Sequence, residues 1–142
     1  MRTARRLALV AAGLFLVAGA GTGVKADDVS SADKLLCTAI QATVCYEDGE
    51  CLVGPPWSWD IPQFIEVHLD EKKLQTTQAS GQNRETPIKN LERSEGTIVV
   101  QGVENGRAFS FVVNETTGFA SIAVARDDRT VSVFGACTPL PE

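Results

Sequence analysis

The sequence predicts an all-β domain, an antiparallel up-and-down meander of about six to eight strands that is clipped by two disulfides. Three observations support this fold class: short apolar runs that alternate with polar residues, turn residues between these runs, and four cysteines that lie toward the two ends of the domain. A sheet of this kind forms a small barrel or stays open and highly curved, and the sequence favours neither form decisively.

The first residues have the pattern of a signal peptide. A basic start is followed by an apolar run over Leu7 to Ala18 and by small residues. Val24-Lys25-Ala26 predicts cleavage after Ala26, and Ala18-Gly19-Ala20 is the alternative site. The apolar run is too short to span a bilayer, so no stable membrane insertion is expected after cleavage. The predicted organisation is a signal peptide over 1–26, a disordered segment over 27–34 and a single β domain over 35–142.

The charge balance argues against nucleic acid as a partner. The whole chain has 13 basic and 18 acidic residues and a net charge of −5. The signal peptide contains four of the basic residues and none of the acidic ones, so the remainder has 9 basic and 18 acidic residues and a net charge of −9. Such a surface repels phosphate backbones.

All four cysteines lie beyond the signal peptide, and an even number in a small exported domain predicts two disulfides. Three connectivities are possible. We favour Cys45–Cys51, which closes a short loop, together with Cys37–Cys137, which ties the ends of the domain. Zinc is the rival interpretation, but the sequence contains no Cys-x-x-Cys pair.

Alternation with a period of two marks most of the strands. Ile65, Val67 and Leu69 alternate with polar residues, which is typical of a half-buried strand. Asn105-Gly106 is the strongest hairpin signal, because both residues accept the positive φ of a type I′ turn. Residues 35–46 fit either a strand or a helical stripe, and this choice is left open.

Trp57 and Trp59 lie in a proline-rich segment, Gly54 to Pro62, which is expected to be extended and irregular. On one interpretation, the two tryptophans, which are separated by one residue, point the same way and form a stacking platform for a sugar or a peptide. The alternative, which we favour, is that both rings plug one end of the barrel.

The longest polar stretch runs from Ser80 to Pro87, and loops on rigid scaffolds often bind partners. Gln82, Asn83 and Arg84 are its candidate binding residues, although a plain solvent-facing connection is the commoner role. Arg107, which follows the Asn105-Gly106 turn, is expected to pair with Glu104.

Glu66, His68 and Asp70 are the weak candidates for a metal or catalytic site. Spacing by two residues places them on one face of a strand, about 6.8 Å between neighbours. A linear row is a poor ligand set, and His68 is the sole histidine of the chain. A solvated strand face is therefore the favoured interpretation, and no cofactor is expected.

Three stretches resemble a group of small exported bacterial β-domain proteins: Ile61 to Phe64, Gln101 to Phe109 and Gly135 to Thr138. This resemblance implies export and a β fold, and it carries no activity, ligand or site residue with it. In size, export and disulfide clips the chain is also similar to the periplasmic lysozyme inhibitors of β-barrel form. Their inhibitory motif matches only at Ser80-Gly81, so this second similarity is architectural.

These features predict a non-enzymatic, inhibitor-like or other binding module of the bacterial cell envelope, periplasmic or secreted. Its expected partner is an envelope protein or a glycan. One alternative is a carrier that holds a small apolar ligand in the barrel lumen. The other is a metal-assisted hydrolase that uses Glu66, His68 and Asp70.

Overall fold

A computed structural model describes residues 27–141, and the expected signal peptide over 1–26 lies outside the described residues. Within this part, the chain forms ten antiparallel strands and two short 3-10 helices, Pro56–Trp59 and Gln78–Ser80. The strands are β1 (Lys34–Tyr46), β2 (Cys51–Gly54), β3 (Phe64–His68), β4 (Lys73–Thr76), β5 (Glu85–Pro87), β6 (Asn90–Ser94), β7 (Thr97–Glu104), β8 (Arg107–Asn114), β9 (Phe119–Ala125) and β10 (Arg129–Pro139). The predicted all-β class is confirmed.

The strands form one curled half-barrel sheet with the order β5-β4-β3-β1-β10-β9-β8-β7-β6. The long strand β1 pairs with β3 through its first half and with β2 through its second half. The two edge strands, β5 and β6, are consecutive in the chain and are joined by Ile88 and Lys89. The Ile88 amide donates to the Lys72 carbonyl and the Lys89 amide to the Gln101 carbonyl, at 2.8 and 2.9 Å. The edges of the sheet therefore approach each other at this corner.

Both favoured disulfides are present. Cys37 and Cys137 lie directly opposite each other on β1 and β10, and their sulfur atoms are bonded. Cys45 and Cys51 are likewise opposite each other on β1 and β2. The described residues contain no free cysteine.

The segment over residues 35–46 is a strand, which settles the choice between strand and helix. Inward residues such as Leu35 and Val44 are buried, whereas Ile40 is 56% exposed at an irregularity in the register with β10. The hairpin signal was also accurate: Asn105 and Gly106 have φ values of 48° and 75°.

The expected disorder of residues 27–34 is not what the structure shows. Val29 is fully buried, and its amide donates to the Glu115 carbonyl at 2.7 Å. The Arg93 guanidinium donates to the carbonyls of Val29, Ser30 and Ala32. One apolar anchor and one arginine therefore hold a segment whose composition is that of a disordered tail.

The buried core fills the end of the half-barrel where β1 begins and β10 ends. The period-two alternation of each strand turns one row of apolar side chains inward. Fully buried members of this core include Leu35, Val67, Ile98, Val113 and Cys137. The other end is less tightly filled, and it contains the candidate site.

Candidate functional site

The concave side of the half-barrel encloses a cavity of about 220 Å³. This exceeds the ~150 Å³ apolar cavity that is known to admit benzene in another protein. Its walls are apolar side chains from β1, β3, β4 and β8–β10, together with the segment before β3. These side chains are Val44, Trp59, Ile61, Ile65, Leu74, Phe109, Phe111, Ile122, Val124, Val131 and Val133.

Gly102 on β7 allows one wall of the cavity to form. It lies opposite Phe109 of β8. A Cβ at this position would lie 2.5 Å from the Phe109 ring and 2.9 Å from the Pro87 carbonyl oxygen. Phe109 itself meets Phe111 edge to face, with ring centroids 5.9 Å apart. The glycine thus lets β5 approach β7 while the aromatic wall keeps its position.

Charged residues surround the open end of the cavity. Five of them, which we call the mouth cluster, all line it: Arg84, Glu104, Arg107, Arg126 and Arg129. Beyond residue 26 the chain has five arginines, and four of them belong to this cluster.

The same alternation that builds the core builds the mouth cluster. On β8, Arg107 belongs to the inward row that continues with Phe109 and Phe111. On β10, Arg129 belongs to the inward row of Val131 and Val133. Antiparallel hairpins bring the ends of neighbouring strands together. The charged residues at the ends of these inward rows therefore lie side by side at the rim of the cavity.

Glu104 is the anionic centre of the mouth cluster. Its carboxylate accepts hydrogen bonds from Arg84 Nη2 and from the Thr86 hydroxyl, both at 2.6 Å, and it lies 3.2 Å from Arg107 Nη2. The expected pairing of Arg107 with Glu104 is therefore present. Burial raises the pKa of Glu104, but the hydrogen bonds from Thr86 and Arg84 and the nearby guanidinium charges outweigh it, so the net pKa is lowered.

The other side of the mouth is organised by Asp128. Arg129 donates to Asp128 Oδ2 through Nη2 at 2.6 Å, and its guanidinium also lies over the Tyr46 ring, 5.5 Å from the centroid. The Arg129 hydrogen bond lowers the pKa of the Asp128 carboxyl. Arg126 is held less tightly, because its Nε lies 3.6 Å from Asp128 Oδ1, beyond hydrogen-bond distance.

The two tryptophans do not point the same way, so the predicted shared platform is wrong. The segment that contains them forms a 3-10 helix, in which alternate residues no longer share a face. Trp59 lines the cavity and covers Gly54, where a Cβ would lie 3.2 Å from the Trp59 ring. Trp57 is 67% exposed and lines a second groove, which we call the outer groove and which adjoins the cavity at Asp60, Ile61 and Pro62. Only Trp59 thus lies where the plug alternative expected both rings.

The structure does not bring the three candidate residues of the polar loop, Gln82, Asn83 and Arg84, together in one site. Gln82 lines the outer groove together with Trp57, and its Oε1 accepts a hydrogen bond from Arg84 at 3.2 Å. Asn83 is exposed with a left-handed φ of 44°. Arg84 joins the mouth cluster instead.

Glu66 and His68 lie on the outer face of β3, away from the cavity. His68 Nε2 is 2.9 Å from Glu66 Oε2, and His68 Nδ1 is 3.5 Å from Glu71 Oε1. Asp70 lies beyond the strand, in the turn, where one of its carboxylate oxygens and ligand atoms of His68 and Glu71 lie within 4.8 Å of one another. Two ammonium groups already occupy this region, because Lys34 pairs with Asp70 and Glu71 and Lys73 pairs with Glu71.

These lysine contacts measure 2.8 Å from Lys73 Nζ to Glu71 and 3.7 to 3.8 Å from Lys34 Nζ to Glu71 and Asp70. The Lys73 hydrogen bond lowers the pKa of Glu71. The carboxylates therefore belong to a surface ion-pair network, which competes with a metal ion for the same oxygens.

Comparisons with protein-family models, with curated proteins and with solved structures find no match for the chain. Among residues 27–141, no helix has the length and apolar character needed to cross a membrane.

The sequence interpretation did not include Arg126 and Arg129 among the candidates. Both can be identified from the two-residue alternation of inward and outward side chains in the adjoining strands. Arg126 continues the row of Ile122 and Val124 by two residues, and Arg129 precedes Val131 by two. An arginine that extends an apolar row at the end of a strand is predicted to lie at the rim of the concave face.

Proposed function

We propose that the protein is an exported binding protein, periplasmic or secreted, that holds a small apolar ligand in the half-barrel cavity. The observation that carries this proposal is the cavity itself, about 220 Å³ in volume and walled by aliphatic and aromatic side chains from six strands. Concave apolar cavities with a few polar groups are the common form of small-molecule sites.

The location rests on two separate arguments. Two structural disulfides indicate an oxidising, non-cytoplasmic environment. The basic and apolar start of the chain supports export by a signal peptide, which in a bacterial host leads to the periplasm or the medium.

The test is binding of a neutral apolar probe to the exported protein. A Trp57→Phe background leaves Trp59 as the sole tryptophan, so its fluorescence reports on the cavity. Titration with 1-octanol should shift or quench this fluorescence with saturation. Val124→Phe places a larger side chain in the cavity and should weaken the response.

Val112→Phe is the matched control, because Val112 is an outward residue that is 41% exposed. An octanol response that is absent in the parent, or that survives unchanged in Val124→Phe, would argue against the cavity as the binding site.

A second candidate function is recognition of an envelope protein or a glycan through the outer groove. The supporting observation is that Trp57, which is largely exposed, lines this groove with Gln82 and Phe64. Exposed tryptophans are common in binding surfaces. Trp57→Ala should then reduce retention of the protein on envelope glycans or on immobilised envelope proteins, whereas Val124→Phe should leave it unchanged. Equal retention of the parent and Trp57→Ala would count against this function.

A further inference from the structure

We propose that the cavity selects a ligand with a short apolar tail and a single carboxylate head, and that the mouth cluster binds this head. The inference rests on the proposed function, because it assigns the ligand class of the same cavity.

The charge distribution of the chain provides the first argument. Beyond residue 26 the acidic residues outnumber the basic ones by 18 to 9, yet the charged residues that line the cavity are four arginines against Asp60 and Glu104. Asp128, which pairs with Arg129 at the rim, reduces the excess to one positive charge, so the cavity and its rim are still locally cationic on an acidic protein. An anion is drawn to this end of the half-barrel and repelled by the rest of the surface.

Unused donors provide the second argument. Arg107 Nε is buried and has no hydrogen-bond acceptor among the described residues. Arg126 has its Asp128 partner at 3.6 Å, and its side chain is 43% exposed at the rim. A buried guanidinium donor without an acceptor is unfavourable, and a carboxylate oxygen at the mouth would satisfy it.

The number of available charges favours a single negative charge on the ligand. Arg84 is already bonded to Glu104, and Arg129 is already bonded to Asp128. Arg107 shares Glu104 with Arg84, and Arg126 is only loosely paired. The positive charge that is not already neutralised by carboxylates is thus small, which fits one carboxylate better than a doubly charged phosphate.

The position of the apolar wall provides the third argument. Phe109 follows Arg107 by two residues on β8, and Val124 of β9 precedes Arg126, the first residue after that strand, by two. All four residues line the same cavity, so apolar wall and guanidinium donors are contiguous. A ligand whose head reaches the arginines can place its tail against this wall.

The test compares three probes with the same tail and different heads: octanoate, 1-octanol and octylammonium. Binding to the exported protein is measured by titration calorimetry at pH 7 in low salt. We expect octanoate to bind about tenfold or more tightly than octanol, since hydrogen bonds to charged groups are stronger than neutral ones. Octylammonium should bind more weakly than octanol. The preference for octanoate should shrink as salt is added, because the rim is partly exposed.

Variants assign the preference to the mouth cluster. Arg107→Gln and Arg126→Gln should each weaken octanoate binding about threefold or more and should change octanol binding by a clearly smaller factor. Lys89→Gln is the matched control, because it removes one positive charge from an exposed position that does not line the cavity. Its octanoate affinity should stay within about twofold of the parent. Circular dichroism confirms that each variant is folded.

The experiment distinguishes failure of the proposed function, which is ligand binding in the cavity, from failure of the carboxylate assignment. If no probe binds, the apolar cavity is not a ligand site and the proposed function falls with it. If octanol and octanoate bind equally, or if Lys89→Gln weakens octanoate as much as the arginine variants do, the cavity binds ligand but the carboxylate assignment is wrong.

Discussion

The disulfide between Cys37 and Cys137 should contribute far more stability than the one between Cys45 and Cys51. A disulfide stabilises mainly by restricting the unfolded chain, and the effect grows with the length of the closed loop. The two cysteines of the first pair are 100 residues apart, which corresponds to about 4.7 kcal/mol of unfolding free energy. The second pair is 6 residues apart, which gives about 2.2 kcal/mol by the same relation.

The perturbation is the removal of each pair by a double alanine substitution. Cys37 and Cys137 are also buried, at 5% and 1% exposure, so their removal additionally costs packing. The difference of about 2.5 kcal/mol between the two double variants is therefore a lower bound. With an m value of about 1.5 kcal/mol per molar urea, the unfolding midpoints should differ by about 1.7 M.

The assay is equilibrium urea unfolding at 25 °C, followed by circular dichroism and by tryptophan fluorescence so that two probes test two-state behaviour. Equal midpoints, or a lower midpoint for the Cys45→Ala/Cys51→Ala variant, would refute the reasoning. Either result would mean that the long loop is already restricted in the unfolded chain by something other than the disulfide.

Three further predictions concern the mouth, the wall and the N-terminal segment. Glu104→Gln should lower the unfolding free energy at pH 7 and flatten its dependence on acid. A carboxyl with a lowered native pKa contributes stability that is complete above about pH 4.3 and is lost as the pH falls through the native value. Urea titrations between pH 7 and 3 check this, and parallel curves for parent and variant would contradict it. Gly102→Ala should reduce the unfolding free energy by about 1–3 kcal/mol, because the added Cβ meets the Phe109 ring and a backbone oxygen; an unchanged thermal midpoint would show that the wall yields without cost. Arg93→Ala should release the N-terminal segment and speed hydrogen exchange at the Val29 amide about tenfold or more, while the Asn105 turn exchanges as before; equal protection in parent and variant would exclude Arg93 as the anchor.

Much of the fold could be predicted from local signals. Alternation identified the inward rows, and the Asn105-Gly106 pair marked a hairpin that the structure contains. The even number of cysteines predicted two disulfides, and of the three possible connectivities the favoured one is present. These signals succeed because each depends on residues close together in sequence or on a constraint that any strand must obey.

The features that could not be predicted depend on contacts between residues that are far apart in the sequence. Val29 stands alone among polar neighbours, and its burial is fixed by Arg93, which is 64 residues away. The tryptophan segment carries three prolines that suggest an extended chain, but in the structure Pro56–Trp59 forms a 3-10 turn that covers the cavity. The mouth cluster requires five strand ends to be placed at one rim, which follows only once the strand order is known.

The cavity also helps to explain why this small domain has a disulfide between two cysteines that are 100 residues apart, Cys37 and Cys137. At about 24 cal/mol per Å³, an enclosed void of this size would leave about 5 kcal/mol of packing unrealised, and the open mouth makes this an upper limit. This is similar to the contribution calculated above for Cys37–Cys137. If the space is kept open for a ligand, filling it should stabilise the protein and abolish its function. Val124→Phe is therefore expected to raise the unfolding free energy by about 1 kcal/mol while it weakens octanoate binding, and Val112→Phe on the outer face should do neither. A Val124→Phe variant that loses stability and still binds octanoate would show that the space is already well packed and that the ligand binds elsewhere.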